Sequence, residues 1–199
     1  MKGFFNRLLV IDMDRLAFDI EPLPDDLLRQ TLGGKGLATY LLLKHNPPGV
    51  DPLSPENRLI FVTGPVADTP IWGGCRYGVY TKSPQTGFYS EAYSGGTTAE
   101  YMARSGFDGV MITGRAKAPT WIEISDEGVE FHSAADLWGS DTYTTEDRVK
   151  DWVKSNRSGN PKSGVLAIGP AGENRVAFAV IENEYWRSAG RSGGGAVMG

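Results

Sequence analysis

Residues 60–65 read IFVTGP, and residues 166–170 return to nearly the same phrase as LAIGP. In both places an apolar run closes on Gly-Pro, which is how a buried strand ends in a turn. The neighbouring phrases repeat as well. A loop carrying an arginine leads to a second β-rich run, and that run leads to Ser94-Gly95-Gly96 in the first unit and Ser192-Gly193-Gly194 in the second. Each glycine pair introduces a helical pattern. The first unit then continues into an apolar strand, FDGVMITG (107–114), and the second stops before any equivalent. The pattern predicts a duplicated architecture with glycine-led helices, lacking its last strand. On this reading residues 1–199 are one domain of a longer protein. Gly-Pro after a strand and Ser-Gly-Gly before a helix are also ordinary turn chemistry, so the pattern alone leaves an unduplicated fold open.

Outward from these phrases, strands and helices alternate irregularly. RLLVIDMDRLAFDIEPL (7–23) reads as a hairpin, Pro24-Asp25-Asp26 opens a short helix, and GGKGLATYLLLKH (33–45) forms a second. CRYGVYTKSP (75–84) and GFYSEAY (87–93) are β-rich, and SGGTTAEYMARSG (94–106) is helical, with Ala99, Met102 and Ala103 on one face. TWIEISDEGVEFH (120–132) reads as a hairpin and TYTTEDRVKDWVKS (142–155) as an amphipathic helix showing Val149, Trp152 and Val153. SGVLAIGP (163–170) and RVAFAVIEN (175–183) read as strands. Irregular alternation with hairpins predicts an α+β fold rather than a doubly wound sheet.

Composition narrows the function. The 199 residues are 40% hydrophobic and 22% charged, with a net charge of −4, which suits a globular domain and excludes a broad basic surface for nucleic acid. Any anion site must be local. The N-terminal stretch MKGFFNRLLVID is broken by Asn6 and Arg7, and no segment approaches a membrane span. Cys75 is the single cysteine, so an iron–sulfur cluster of the usual kind needs thiolates this chain does not contain. A reducing, cytoplasmic compartment is the expectation.

The densest chemistry lies in WRSAGRSGGG (186–195), where Arg187, Ser188, Gly190 and Arg191 combine permanently charged bidentate donors with glycines that permit close approach. This points to a phosphate. The phrase is neither a Walker loop nor a dinucleotide fingerprint, and a flexible linker or a glycine-lined helix contact is the alternative. Arg76 lies between glycines and alternating aromatics. Tyr93, Ser94, Gly95 and Gly96 stand at a helix start, where a tight turn and cap suffice as explanation, and Gly33-Gly34-Lys35-Gly36 is a weaker phosphate candidate. Cys75, His45 and His132 read as structural. No Ser-His-Asp order, HExxH or paired carboxylates stand out, so the chain presents a binding surface without visible catalytic machinery.

Taken together, DPLSPENRLIFVTGPV, GGCRYGVYTKSPQTGFYSEAYSGG, MARSGFDGVMITGRAKAPTWIEI, DLWG and IGPAGENRVAFAVIENEYWRSAGRSGGGAVMG resemble, in collinear order, the N-terminal domain of the aldehyde ferredoxin oxidoreductases. The resemblance implies a tungsten or molybdenum enzyme that oxidises aldehydes to carboxylic acids and passes electrons to ferredoxin. It also implies two pterins bridged by magnesium through their phosphates, lying on a duplicated two-sheet base with pseudo-twofold symmetry. On the matching positions, Arg76 and Gly95 fall on one pterin-contacting stretch and Arg187, Ser188, Gly190 and Arg191 on the other. Tyr93 stands where the family commonly has the asparagine that helps hold magnesium, and a phenol is the poorer ligand. Ser188 replaces a usual alanine that contributes its backbone carbonyl. The 4Fe-4S ligands of the family lie in later domains. The isolated chain is accordingly expected to be inactive and empty of cofactor, and to dimerise or swap strands through an open sheet edge. The competing reading is a non-catalytic module for a phosphorylated metabolite or nucleotide.

Overall fold

The computed structural model describes residues 1–159 and 161–199. Six strands form the main sheet: β1 (Arg7–Asp12), β2 (Ala17–Pro22), β3 (Leu59–Thr63), β4 (Tyr77–Lys82), β5 (Tyr89–Ser94) and β6 (Gly109–Thr113), in the spatial order β2-β1-β6-β3-β4-β5. β6 enters between β1 and β3, parallel to the first and antiparallel to the second. That central place explains why all five residues of β3 are buried, reading as a continuous apolar run instead of an alternation.

Each face of the sheet has its own core. On one, Leu8, Ile60, Val62, Tyr80 and Met111 pack beneath α1 (Asp25–Thr31) and α2 (Gly34–His45), which bring Leu28, Leu37, Ala38 and Leu41. On the other, Leu9, Phe61, Tyr77, Val79 and Ala92 meet Ala99 of α3 (Thr98–Arg104) together with Ile181 and Ala189 from the C-terminal part of the chain. The strand period of two sends Tyr77 and Val79 to the second core and Tyr80 to the first. A separate hairpin, β7 (Thr120–Ser125) with β8 (Gly128–Ser133), packs Ile122, Ile124, Val129 and Phe131 on the second core. The amphipathic segment forms α4 (Thr142–Asn156), capped by the Asp141 carboxylate accepting from Thr144 N at 2.7 Å. No described helix is long and apolar enough to cross a membrane.

The last forty residues depart from expectation. The strands read over 163–170 and 175–183 reduce to a single bridge, Ala167 to Glu182, and to the three-residue β9 (Ile181–Asn183). Between them lies the short α5 (Pro170–Glu173); after them come β10 (Arg187–Ala189), paired antiparallel with β9, and α6 (Gly194–Met198). Backbone crowding accounts for the difference. A Cβ at Gly164 would stand 2.9 Å from Thr98 Cα, and one at Gly172 would stand 2.6 Å from Ile168 Cβ. Val165 and Ala179 are therefore buried outside any ladder, by loops that approach α3 and α6. The order of pairing still runs alike in the two halves: β3, β4, β5, then helix; Ala167, β9, β10, then helix. The fold is α+β with several sheets.

Candidate functional site

The β4–β5 register opposes Tyr77 to Ser94. Arg76, one residue before β4, and Gly95, one residue after β5, therefore leave the same end of the sheet side by side. β10 starts with Arg187 at the same place. An added Cβ on Gly95 would lie 3.4 Å from the Cys75 carbonyl, 3.8 Å from Arg76 Cδ and 3.8 Å from Arg187 Nη1. Two arginines separated by 110 positions of sequence thus flank one buried glycine, and both are exposed. Among the described residues Arg76 makes no salt bridge, while Arg187 Nε pairs with Glu184 Oε2 at 3.2 Å.

A buried asparagine joins the two halves here. Asn183 has no exposed surface. Its Oδ1 accepts from Tyr77 Oη and Ser94 Oγ, both at 2.8 Å, and its Nδ2 donates to Gly95 O at 2.9 Å and Thr98 Oγ1 at 3.3 Å. Every donor and acceptor of the amide is used, as burial requires. Burial pushes the Tyr77 phenol well above its ordinary range, so it remains a neutral donor.

Glu184 continues the junction. Its Oε1 accepts from Thr98 N at 2.9 Å, Thr97 Oγ1 at 3.0 Å and Thr98 Oγ1 at 3.2 Å. Partial burial opposes its charge, but the Thr98 amide, the two threonine hydroxyls and Arg187 outweigh burial and hold the carboxyl below the usual range. The β9–β10 connection is Glu184-Tyr185-Trp186, with φ of 50° at Glu184 and 68° at Tyr185. Two adjacent left-handed residues without glycine cost stability and persist only under tight constraint. The constraint is visible: Tyr185 N donates to Glu146 Oε2 at 3.1 Å and Tyr185 Oη to Asp147 Oδ1 at 2.6 Å, both from α4. Glu146, with 2% exposure, is also paired with Lys150.

The remaining predicted residues are dispersed. Ser188 is exposed, and its hydroxyl donates to Glu182 Oε1 at 3.2 Å. Gly190 and Arg191 are exposed, and among the described residues Arg191 has no carboxylate partner. Tyr93 lies on the sheet face carrying Tyr80, whose ring it meets edge-on at 6.0 Å between centroids, and its hydroxyl is 3.5 Å from Glu91. Ser94, the next residue, faces Asn183 on the opposite side. The phenol of Tyr93 is thus directed toward Tyr80 and Glu91. The Gly193–Gly195 run is buried. Gly193, at φ 80°, leaves no room for a Cβ against the Ala177 carbonyl, nor Gly195 against the Val180 carbonyl, and Gly195 N donates to Ala179 O at 2.9 Å. These glycines seat α6 on the preceding loop, the helix-contact alternative considered for them, while Gly190 remains on the exposed side.

Sequence reading passed over Asn183, Glu184 and Glu146. The first two stand within an apolar strand pattern and the third on the polar side of a helix, and none belongs to a recognisable motif. A second cluster, Glu123, Glu130 and His132, brings its ligand atoms within 4.8 Å of one another. Arg157 already pairs with both carboxylates, at 2.6 and 2.7 Å, and His132 stacks on Trp121 at 4.1 Å. This cluster ties the end of α4 to the β7–β8 hairpin.

Residues 8–199 match the family model for the N-terminal domain of aldehyde ferredoxin oxidoreductase. Among curated proteins the whole chain aligns with tungsten-containing aldehyde ferredoxin oxidoreductases of Pyrococcus furiosus, at 42% identity, and Thermococcus kodakarensis, at 43%. It aligns at 35% identity with the aliphatic sulfonate oxidoreductase WOR-like subunit of Pyrococcus furiosus. The chain spans about a third of the length of these relatives, 32%, 32% and 33% in turn. In structure it superposes over its full length, and over 29% of the other chain, on the active-site complex BamBC of benzoyl coenzyme A reductase with 1,5-dienoyl-CoA, at TM-score 0.93 and 33% identity.

Proposed function

We propose a cofactor-holding role for this chain, which belongs to the aldehyde ferredoxin oxidoreductase family as its N-terminal domain. The domain serves as the base on which a tungsten, or molybdenum, bis-pterin cofactor lies in an enzyme that oxidises aldehydes to carboxylic acids and delivers electrons to ferredoxin. The observation that carries this reading is Gly95 between Arg76 and Arg187. The residues fit the group. Two exposed guanidiniums supply charge-assisted donors for phosphate oxygens, and the buried glycine between them brings both to one place. Gly190 and Arg191 extend the same exposed stretch. When bound, the metal–pterin group supplies the two-electron redox chemistry; this chain binds and orients it.

The parallel order of strand pairing in the two halves supports a doubled scaffold beneath a doubled cofactor. Magnesium, if the cofactor carries it, would draw on Tyr93 and Ser188. The phenol directed at Tyr80 and Glu91 makes Tyr93 the weaker partner, leaving the Ser188 backbone carbonyl and phosphate oxygens as the principal ligands. A 4Fe-4S cluster would take its thiolates from outside these 199 residues, since Cys75 is their only cysteine.

Anaerobic purification of the full-length protein that carries this chain, with tungsten, molybdenum, iron and pterin measured together, tests the reading. Two pterins per tungsten or molybdenum, with loss of both on Arg76→Ala or Arg187→Ala, is the expected result. Protein without pterin that binds a nucleotide or phosphorylated metabolite through the same arginines would replace it with the metabolite-binding alternative.

A further inference from the structure

A carboxylate beside an anion site needs an explanation, because its own charge repels the ligand. Glu184 stands in that position. Its Oε2 takes Arg187 Nε at 3.2 Å. Its Oε1 takes three donors from Thr97 and Thr98, and both oxygens stand against Gly96, where any side chain would overlap them. The residue is fixed from behind as well, since Asn183 is locked into Tyr77, Ser94 and Gly95 and Tyr185 N is held by buried Glu146. One side chain therefore touches both halves of the arginine–glycine constellation while its backbone is held in a left-handed conformation.

The geometry points to Glu184 as a positioning residue that holds Arg187 and the Gly95-Gly96 turn in register for a phosphate. The guanidinium is divided by this contact. Nε is ion-paired with Glu184 at 3.2 Å, and Nη1 lies 3.8 Å from the Cβ position of Gly95. A guanidinium gripped at one edge keeps its Nη donors for a phosphate and loses less rotamer freedom on binding. The carboxylate charge is satisfied by three hydrogen-bond donors and one ion pair, which limits its repulsion. The inference rests on the phosphate-binding reading above and assigns Glu184 its part in it.

The sign of one substitution tests it. A bystander carboxylate, once neutralised, would let an anion bind more tightly; a positioning carboxylate, once neutralised, would let it bind more weakly. Glu184→Gln keeps an oxygen to accept from Thr98 N and removes the grip on Arg187. Wild type, Glu184→Gln, Arg187→Ala and the double variant of the full-length protein are compared by calorimetric binding of inorganic pyrophosphate to cofactor-free protein, and by pterin content after cofactor loading. The amide exchange of Thr98 is followed in each. Glu184→Gln is expected to weaken pyrophosphate about tenfold, with Thr98 exchange near wild type, and to have no weakening effect once Arg187 is alanine. Unchanged or tighter binding by Glu184→Gln overturns the inference, as does equal weakening in the Arg187→Ala background. Wild-type protein that binds no pyrophosphate overturns it too. Protein that never acquires pterin but binds pyrophosphate in this Glu184-dependent way upholds the inference and sinks the pterin reading instead.

Discussion

Replacing Asn183 with alanine should be among the most damaging single changes in this chain, and its cost can be worked from the contacts. The amide makes four hydrogen bonds in a fully buried setting. At about 1 kcal/mol net for each, their loss costs about 4 kcal/mol. Two corrections act in opposite directions. Thr98 Oγ1 keeps its bond to Glu184, which returns about 1 kcal/mol. The Gly95 carbonyl is left without its amide partner, which costs about 1–3 kcal/mol if no water reaches it. The net expectation is about 4–6 kcal/mol, a large share of the roughly 5–15 kcal/mol that holds a domain folded. In urea, with a slope of about 2 kcal/mol per molar, the unfolding midpoint of the chain falls by about 2–3 M with the slope unchanged. Asn183→Asp keeps the acceptor but sets a carboxylate oxygen against the Gly95 carbonyl, and should be no milder. A midpoint shift below about 0.5 M for Asn183→Ala would show that the junction is held by the surrounding apolar contacts and that the asparagine network is dispensable.

Other expectations are more local. Arg76→Ala should lower pyrophosphate affinity of the full-length protein about tenfold to a hundredfold, the value of a charge-assisted bond, without moving its melting temperature, because Arg76 is exposed and makes no described salt bridge. Gly193→Ala should destabilise the chain by more than about 2 kcal/mol in the same urea assay, since its φ of 80° and the Ala177 carbonyl both exclude a side chain. Gly87→Ala, with φ of 74° but open space around it, should cost only about 1 kcal/mol. Arg157 chiefly, against the opposing effect of burial, holds the Glu123 carboxyl below its ordinary value near 4.5. This contribution is complete above that value and is lost as pH falls through the lower folded value, and Glu184 acts with the same sign. Glu123→Gln should therefore flatten the acid side of the stability–pH curve below about pH 4.5.

The hairpins and helices of residues 7–156 were legible because period and turn chemistry agreed there. Asp12 and Asp14 turn the first hairpin, with Asp12 Oδ1 accepting from two amides, and Asp126-Glu127 turns the later one. What could not be read was the place of β6. FDGVMITG announces a strand, but nothing local places it between β1 and β3, for that depends on pairing with residues fifty and a hundred positions away. The region 163–183 misled for a different reason. Val165 and Ala179 are as buried as the strand residue Ile181, and an apolar run reports burial without saying whether a ladder or a packed loop provides it. Gly164 and Gly172 were the available signal, since they mark backbone approach too close for a side chain.

The same distinction governs the site. The arginines were legible as charge beside glycine, yet the glycines nearest Arg191 serve packing: Gly193 and Gly195 face backbone carbonyls of the preceding loop, and α6 is seated by them. The glycine that lies between the two exposed arginines is Gly95, more than ninety residues earlier, and only folding brings it to Arg187. What brings it there is polar and buried. Asn183 and Glu184 sit in a stretch that reads as the end of a strand, with no turn residue to mark the hairpin at Glu184-Tyr185-Trp186. Their side chains supply the constraint that glycine or asparagine would ordinarily relieve at positive φ. A strained, fully anchored turn next to an exposed arginine is therefore the physical link between the halves of the chain, which makes Asn183 and Glu184 as informative to mutate as the arginines themselves.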